Sequence, residues 1–244
     1  MMKKTVLTMA ATAVLCLSSC IVIERADRES EVRVRKEYSI EGFSAIEASA
    51  MVDVKFVQTR GREYAVRAEG PENIVALLSV RKEDGVLKVG LKKHSYVTLS
   101  NTSLNITVFA PEMTGLKASG SSEIEVESLH APNLVIETSG SGEVEIKQLD
   151  TDRLSVVSHG ASDVKLAGRA HSASFSSSGS SAIKAADLEA ADVEVKASGS
   201  SDIQCHATKT IRGSASGSSD IKYKGSPAVK DFGKTGSSEI SRIG

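Results

Sequence analysis

The chain has 244 residues, with 30 basic and 31 acidic side chains and a formal net charge of −1. That balance gives no reason to expect a nucleic acid partner, whose binding needs a basic face. Aromatic residues make up 4% and tryptophan is absent, yet β-branched residues are too frequent for a disordered chain, so the length reads as one large β domain or two smaller ones.

Residues 1–19 read as a lipoprotein signal peptide. Lys3 and Lys4 form a basic start, and Thr5–Leu17 is apolar but too short to span a bilayer, which takes roughly 20 residues. Leu17-Ser18-Ser19-Cys20 resembles a bacterial lipobox, which makes Cys20 the lipid attachment site; the alternative is an ordinary secretory signal. No later stretch is apolar enough to cross a membrane, so the protein is expected to be anchored rather than spanning. Cys16 leaves with the signal and Cys20 carries lipid, so Cys205 is the one remaining thiol and no intramolecular disulfide forms. Residues 20–37 carry mixed charge, from Glu24 and Arg25 to Lys36 and Glu37, and read as the lipidated N-terminus and a tether that passes into a strand near Val32 and Val34.

Residues 38–115 read as an irregular β region continuous with the repeats C-terminal to it. Ala48–Phe56 is a degenerate copy of the later repeat, with Ala50 where that repeat has glycine. Tyr64, Val66 and Ala68 alternate, Asp84-Gly85 signals a hairpin, and Leu104–Phe109 alternates again. No Pro/Gly/Ser linker sets this region apart, so it is expected to cap or widen the end of a longer structure.

Residues 116–244 hold that structure. Ala197–Ile203 and Ala215–Ile221 are both ASGSSDI, and Ala118–Ile124 is ASGSSEI. Aligned on glycine, the copies fall at Gly120, Gly140, Gly160, Gly179, Gly199, Gly217 and Gly236, a period of about 20. Four residues after each glycine stands a β-branched residue, from Ile124 and Val144 to Ile221 and Ile240. Six after it, Val126, Ile146, Leu166, Ala185, Cys205 and Tyr223 are mostly apolar, and polar residues fill the alternate places. Apolar residues two apart mean strands with one buried face. No helical pattern separates them, which excludes βαβ units. The fold class is therefore all-β: a right-handed parallel β-helix, or solenoid, of about seven regular coils of about 20 residues, with an irregular β N-terminal region. Glycine is expected at the corner for a left-handed conformation or close backbone packing, and serine for a hydroxyl that satisfies corner backbone groups. Cys205 falls on an inward position and reads as a buried small hydrophobe.

These SGS(S/G)(D/E)(I/V) coils resemble the auto-transporter adhesin head family, a GIN-type domain of unknown function in bacterial envelope proteins. So do Phe43-Ser44-Ala45-Ile46 with Val52-Asp53-Val54, and the later Gly85–Val89. The resemblance covers roughly residues 38–225. It implies a β-helical fold and a cell-envelope location, and defines no catalytic residues. Two departures stand out: Ala182 replaces the acidic residue of one coil, and His159-Gly160-Ala161 replaces Ser-Gly-Ser in another.

The candidate binding site is the acidic column three residues after each glycine: Glu123, Glu143, Asp163, Asp202, Asp220 and Glu239. Stacked carboxylates about one coil spacing apart repel unless compensated. Structural calcium is one reading, since hard cations want several oxygens. The other is a solvated ridge paired with Lys165, Lys184 and Lys222. No other cofactor is expected. His94, His130, His159, His171 and His206 lack metal-ligand spacing. The function expected is a non-enzymatic, lipid-anchored cell-envelope protein of the outer membrane, periplasmic or surface-exposed. It would act as an adhesin or binding module toward a glycan or an envelope protein. The alternatives are a structural periplasmic envelope protein, and a β-helical polysaccharide lyase or hydrolase using neighbouring carboxylates.

Overall fold

The computed structural model describes residues 24–26, 29–93, 95–97 and 104–243. The expected signal peptide, the expected lipid attachment residue Cys20 and His94 lie outside the described residues. The chain runs through β1 (Glu24–Ala26), β2 (Arg33–Tyr38), β3 (Ala45–Ala48), β4 (Asp53–Gln58), β5 (Ala65–Pro71), a one-and-a-half-turn helix α1 (Glu72–Leu77), β6 (Leu78–Glu83), β7 (Val86–Leu91), β8 (Ser95–Val97) and β9 (Asn105–Ala110). Next come β10 (Gly115–Gly120), β11 (Glu123–Val126), β12 (Leu129–Gly140), β13 (Glu143–Gly160), β14 (Asp163–Gly179), β15 (Ala182–Gly199), β16 (Asp202–Ala215), β17 (Asp220–Lys224), β18 (Val229–Lys234) and β19 (Glu239–Arg242).

From β10 onward every strand pairs in parallel with the strand one coil away. Ile124 pairs with Val144, Val144 with Val164, Val164 with Ile183, Ile183 with Ile203, Ile203 with Ile221 and Ile221 with Ile240. The period of the sequence is thus the register of the sheet, and the fold is a parallel β-solenoid. The seven glycine corners delimit about six turns, one fewer than the coil count expected from counting corners. Within one coil the in–out alternation is broken by outward pairs at 120–121, 127–128 and 132–133. Each coil therefore turns three corners and has three walls. The first wall comes after the glycine and buries Ile124 and Val126; the second buries Leu129 and Ala131; the third buries Leu134, Ile136 and Thr138. Stacking repeats these columns along the axis and makes one continuous core.

The glycine corner explains the repeated heptapeptide. All seven corner glycines have positive φ, from 69° at Gly140 to 86° at Gly179. A Cβ on Gly179 would also lie 2.7 Å from the carbonyl oxygen of Gly160, and one on Gly217 2.7 Å from that of Gly199. Both reasons for glycine hold together: a left-handed backbone and a neighbour too close for a side chain. The ladder does not break at the turn, because Ala161, Ser180, Ser200 and Ser218 donate their N–H to the glycine carbonyl of the coil before, at 2.7–2.8 Å. Two residues after the glycine, the buried Ser122, Ser162, Ser181, Ser201, Ser219 and Ser238 each donate a hydroxyl back across the corner, to the carbonyl three residues earlier at 2.9–3.0 Å. Ser122, Ser181, Ser201 and Ser238 also lie 3.0–3.1 Å from a carbonyl of the preceding coil. A buried carbonyl left without a partner costs about 1–3 kcal/mol, so the serine is as structural as the glycine.

The N-terminal region is more regular than expected. β3 and β4 supply the third and first walls of another layer of the solenoid: Ala45 pairs with Gly115 and Asp53 with Glu123, and the corner residue Ala50 holds φ 61°. A further layer lies beyond them, β7 on β3 and β9 on β4. Chain order and stacking order therefore part here, since β3–β4 sits between β7/β9 and β10/β11. The cap proper is antiparallel. β6 pairs with β7 through a turn in which Asp84 and Gly85 both have positive φ, β5 pairs with β9, and β2 with β5. Helix α1 crosses this end, where Ile74 and Leu77 pack with Leu91 and Leu104. Its six residues are too few to show a helical period, and the sequence reading, which places only strands there, misses it.

Candidate functional site

The first wall carries the predicted acidic column, in register as Asp53–Glu123–Glu143–Asp163–Ala182–Asp202–Asp220–Glu239. All six predicted carboxylates share this ridge, and Asp53 extends it by one layer. The column two residues on supplies the compensation. Lys165 reaches Glu143 at 2.5 Å, Lys184 reaches Asp163 at 2.9 Å, and Lys222 lies 3.8 Å from Asp220. Lys147 bridges Glu125 and Glu127, both at 2.8 Å, and Lys55 stands 3.8 Å from Glu127. Lys147, Lys165 and Lys184 reach carboxylates one coil away and so hold neighbouring coils in step, whereas Lys222 faces Asp220 on its own strand; exposed pairs add under about 1 kcal/mol each.

The compensation is weakest near the N-terminal end. Carboxylate oxygens of Glu123, Glu143 and Glu145 lie within 4.8 Å of one another, the one such group among the described residues. Partial burial pushes the Glu123 carboxyl up, and the charges of Glu143, Asp53, Glu125 and Glu145 push it the same way. Burial also raises Asp53, offset by a hydrogen bond from the Glu123 backbone.

The second wall carries a different column, His130, Asp150, Arg169, Glu189 and His206, in which the charges of Asp150, Arg169 and Glu189 alternate along the axis. Arg169 grips Asp150 with two hydrogen bonds of 2.8 and 2.7 Å and holds its carboxyl down at about 2. His130 Nδ1 is 3.4 Å from the same carboxylate, and the Gln58 amide pairs with both backbone groups of His130. An open groove of about 830 Å³ runs along this column, but its guanidinium is already taken by Asp150. Cys205 is fully buried, and burial pushes its thiol up to about 12, which suits an inert core residue.

The third wall offers open space. A trough of about 740 Å³ crosses β12 to β16 near the third corner. Its floor is β14, whose outward residues Ser172, Ser174, Ser176 and Ser178 are all serine. Longer side chains rise on either side, Arg153 from β13 and Asp192, Glu194 and Arg212 from β15 and β16. Arg153 is held by the Asn133 side chain at 2.7 Å and Asp192 accepts from Thr210 at 2.7 Å, while Glu194 pairs with Lys196 at 2.8 Å. Among the described residues, neither Arg153 nor Arg212 has a carboxylate partner. Sequence reading misses this trough, because it is made by what Ser172 and Ser174 fail to fill; the run of outward serines in one coil is the available signal.

Known proteins share this architecture. The family model "Putative auto-transporter adhesin, head GIN domain" matches residues 42–227. A crystal structure of a "putative adhesin" from Bacteroides fragilis is 34% identical, with a TM-score of 0.83, covering 88% of this chain and 99% of that one. A "putative lipid binding protein" from Parabacteroides distasonis is 23% identical, with a TM-score of 0.74, covering 91% of this chain and 100% of that one. A "putative adhesin" from Parabacteroides merdae is 21% identical, with a TM-score of 0.70 and the same coverages. No curated protein matches. With its glycine-cornered coils running through the matched span, this chain belongs to the auto-transporter adhesin head GIN domain family.

Proposed function

We propose that the mature protein is a non-enzymatic, lipid-anchored binding module of the cell envelope, in which Cys20 carries the anchor and the solenoid presents its outward columns to a repetitive ligand. The observation that carries this reading is the trough on the third wall, an open surface of mixed polar and apolar side chains on a rigid scaffold within an adhesin-like family. The trough spans several coils and is shallow, which favours many weak contacts over one deep pocket. Enzyme chemistry finds less support. Carboxylates gather around Glu143, and ammonium groups already claim Glu143 and Asp163. A glycosidase needs a carboxyl pair free to exchange protons with substrate.

Two measurements test the reading. Metabolic labelling with a radioactive fatty acid should mark the wild-type protein and not a Cys20→Ala variant; equal labelling would overturn the anchor. Protease shaving of intact cells, with immunoblotting for the C-terminus, should remove the signal. Protection would enclose the solenoid within the periplasm, sink the adhesin reading and favour the structural envelope role.

A further inference from the structure

We infer that the third-wall trough binds a uronate-bearing polysaccharide, with Arg153 and Arg212 taking its carboxylates. This rests on the binding-module reading and names the ligand class. Three observations carry it. First, β14 is hydrogen-bonded to β13 on one side and β15 on the other, so no backbone group on the floor is free for a ligand. An extended peptide, which is held mainly through backbone hydrogen bonds, gains nothing here. Side chains alone must do the holding, and the polar ones present are hydroxyls, the Asn133 amide, two guanidinium groups and two carboxylates, beside the exposed Val135.

Second, the floor is polar and shallow in side-chain length. Ser174 can donate and accept, and Ser172, whose hydroxyl donates to the Asp152 carbonyl at 3.3 Å, can accept, which suits a ligand dense in hydroxyls. The carboxylates of Asp192 and Glu194 accept from hydroxyls, and their local partners Thr210 and Lys196 fix their positions. Third, Arg153 and Arg212 stand on opposite sides of the floor without a carboxylate of their own. This contrasts with Arg169 on the second wall, which Asp150 occupies with both oxygens. A guanidinium without a carboxylate partner beside a trough is a ready fork for one, since it is weakly hydrated and bonds two oxygens at once. The two arginines come from strands three coils apart, roughly 14 Å at the usual strand spacing. One sugar ring cannot bridge that distance, so the ligand is a polymer with acidic groups spaced along it.

The test uses the mature protein and two probes, an oligogalacturonate and its fully methyl-esterified form, titrated calorimetrically at low salt. The acid oligomer should bind, and esterification should weaken it tenfold or more. The double substitution Arg153→Ala with Arg212→Ala should cost a similar factor. Ser174→Trp, which fills the floor, should abolish binding, and circular dichroism should show both variants folded. Binding should weaken as salt rises. Equal affinity for acid and ester would overturn the ligand class. Unchanged affinity in both variants would overturn the place. No binding of either probe would overturn the inference as a whole. If the wild-type protein ignores both probes yet still adheres to cells or matrix, this inference falls and the binding-module reading stands. If shaving shows the solenoid enclosed while the oligomer binds, the adhesin reading falls and this one stands.

Discussion

Ala50 and Gly179 occupy equivalent corners and make opposite predictions. Ala50 holds a left-handed φ of 61° that costs an L-residue about 1 kcal/mol, and Met51 beside it holds φ 60°. Ala50→Gly should therefore raise stability by up to about 1 kcal/mol, read as a higher urea midpoint with an unchanged m-value. Gly179→Ala adds a Cβ 2.7 Å from the Gly160 carbonyl oxygen at φ 86°, and should cost roughly 2–4 kcal/mol by the same measurement. Glu123 makes a prediction in pH. Burial and its acidic neighbours raise its folded pKa above the ordinary glutamate value. The ionised form is therefore the unfavourable one in the folded state, and the penalty grows as pH rises from the ordinary value through the raised one. Glu123→Gln should stabilise the protein at pH 7, by under about 1 kcal/mol for so partial a burial, and the gain should vanish below the ordinary glutamate pKa. Thermal melts of both proteins, at neutral pH and again below the ordinary glutamate pKa, check the sign. A gain that persists at low pH would assign the effect to something other than charge.

The hydroxyl ladder behind the corners is an element in its own right. Thr138, Ser158 and Ser162 lie within 3.0 Å of one another through their hydroxyls, and Ser177 and Ser181 at 2.7 Å, all buried. Ser181→Ala removes the donor that faces the carbonyls of Ser178 and Ser158. It should cost about 1–3 kcal/mol, whereas exposed Ser180→Ala, one residue away, should be near neutral. Equal effects in denaturant titrations would deny the ladder its role. Legibility in the sequence divides the elements in a similar way. Columns that repeat at a fixed period, such as Ile124 to Ile240 and Glu123 to Glu239, are legible because stacking forces like residues onto like positions. Ala50 is legible as a corner for the same reason, and Asp84-Gly85 because its turn demands two positive φ values. Helix α1 and the insertion of β3–β4 between β7/β9 and β10/β11 are not. They depend on which distant strand edge is free, and no local spacing encodes that. The trough is hidden for a further reason: side-chain columns announce themselves, and a missing column does not.

The molecule as a whole is a stack in which each coil touches only its neighbours, so its stability should fall toward the ends. Ile183 and Ile203 in the middle are fully buried, while Phe232 and Ile240 in the last coil are only partly covered. Hydrogen exchange should be slowest in β13 to β15 and fastest in β18 and β19, with the N-terminal end shielded by its antiparallel cap. Uniform protection would mean the stack opens in one step. The glycine stack has a consequence for how such a protein can change over generations. Single-residue changes are absorbed within a coil, since corners spaced 18 to 20 residues apart stay stacked while register shifts such as those after Ile146, Lys165 and Ala185 take up the difference, and a duplicated or lost block of about 20 residues leaves each contact type intact. Reach, measured along the axis, can then change only in whole steps of roughly 4.8 Å, so the scaffold behaves as a ruler with graduations and no positions between them.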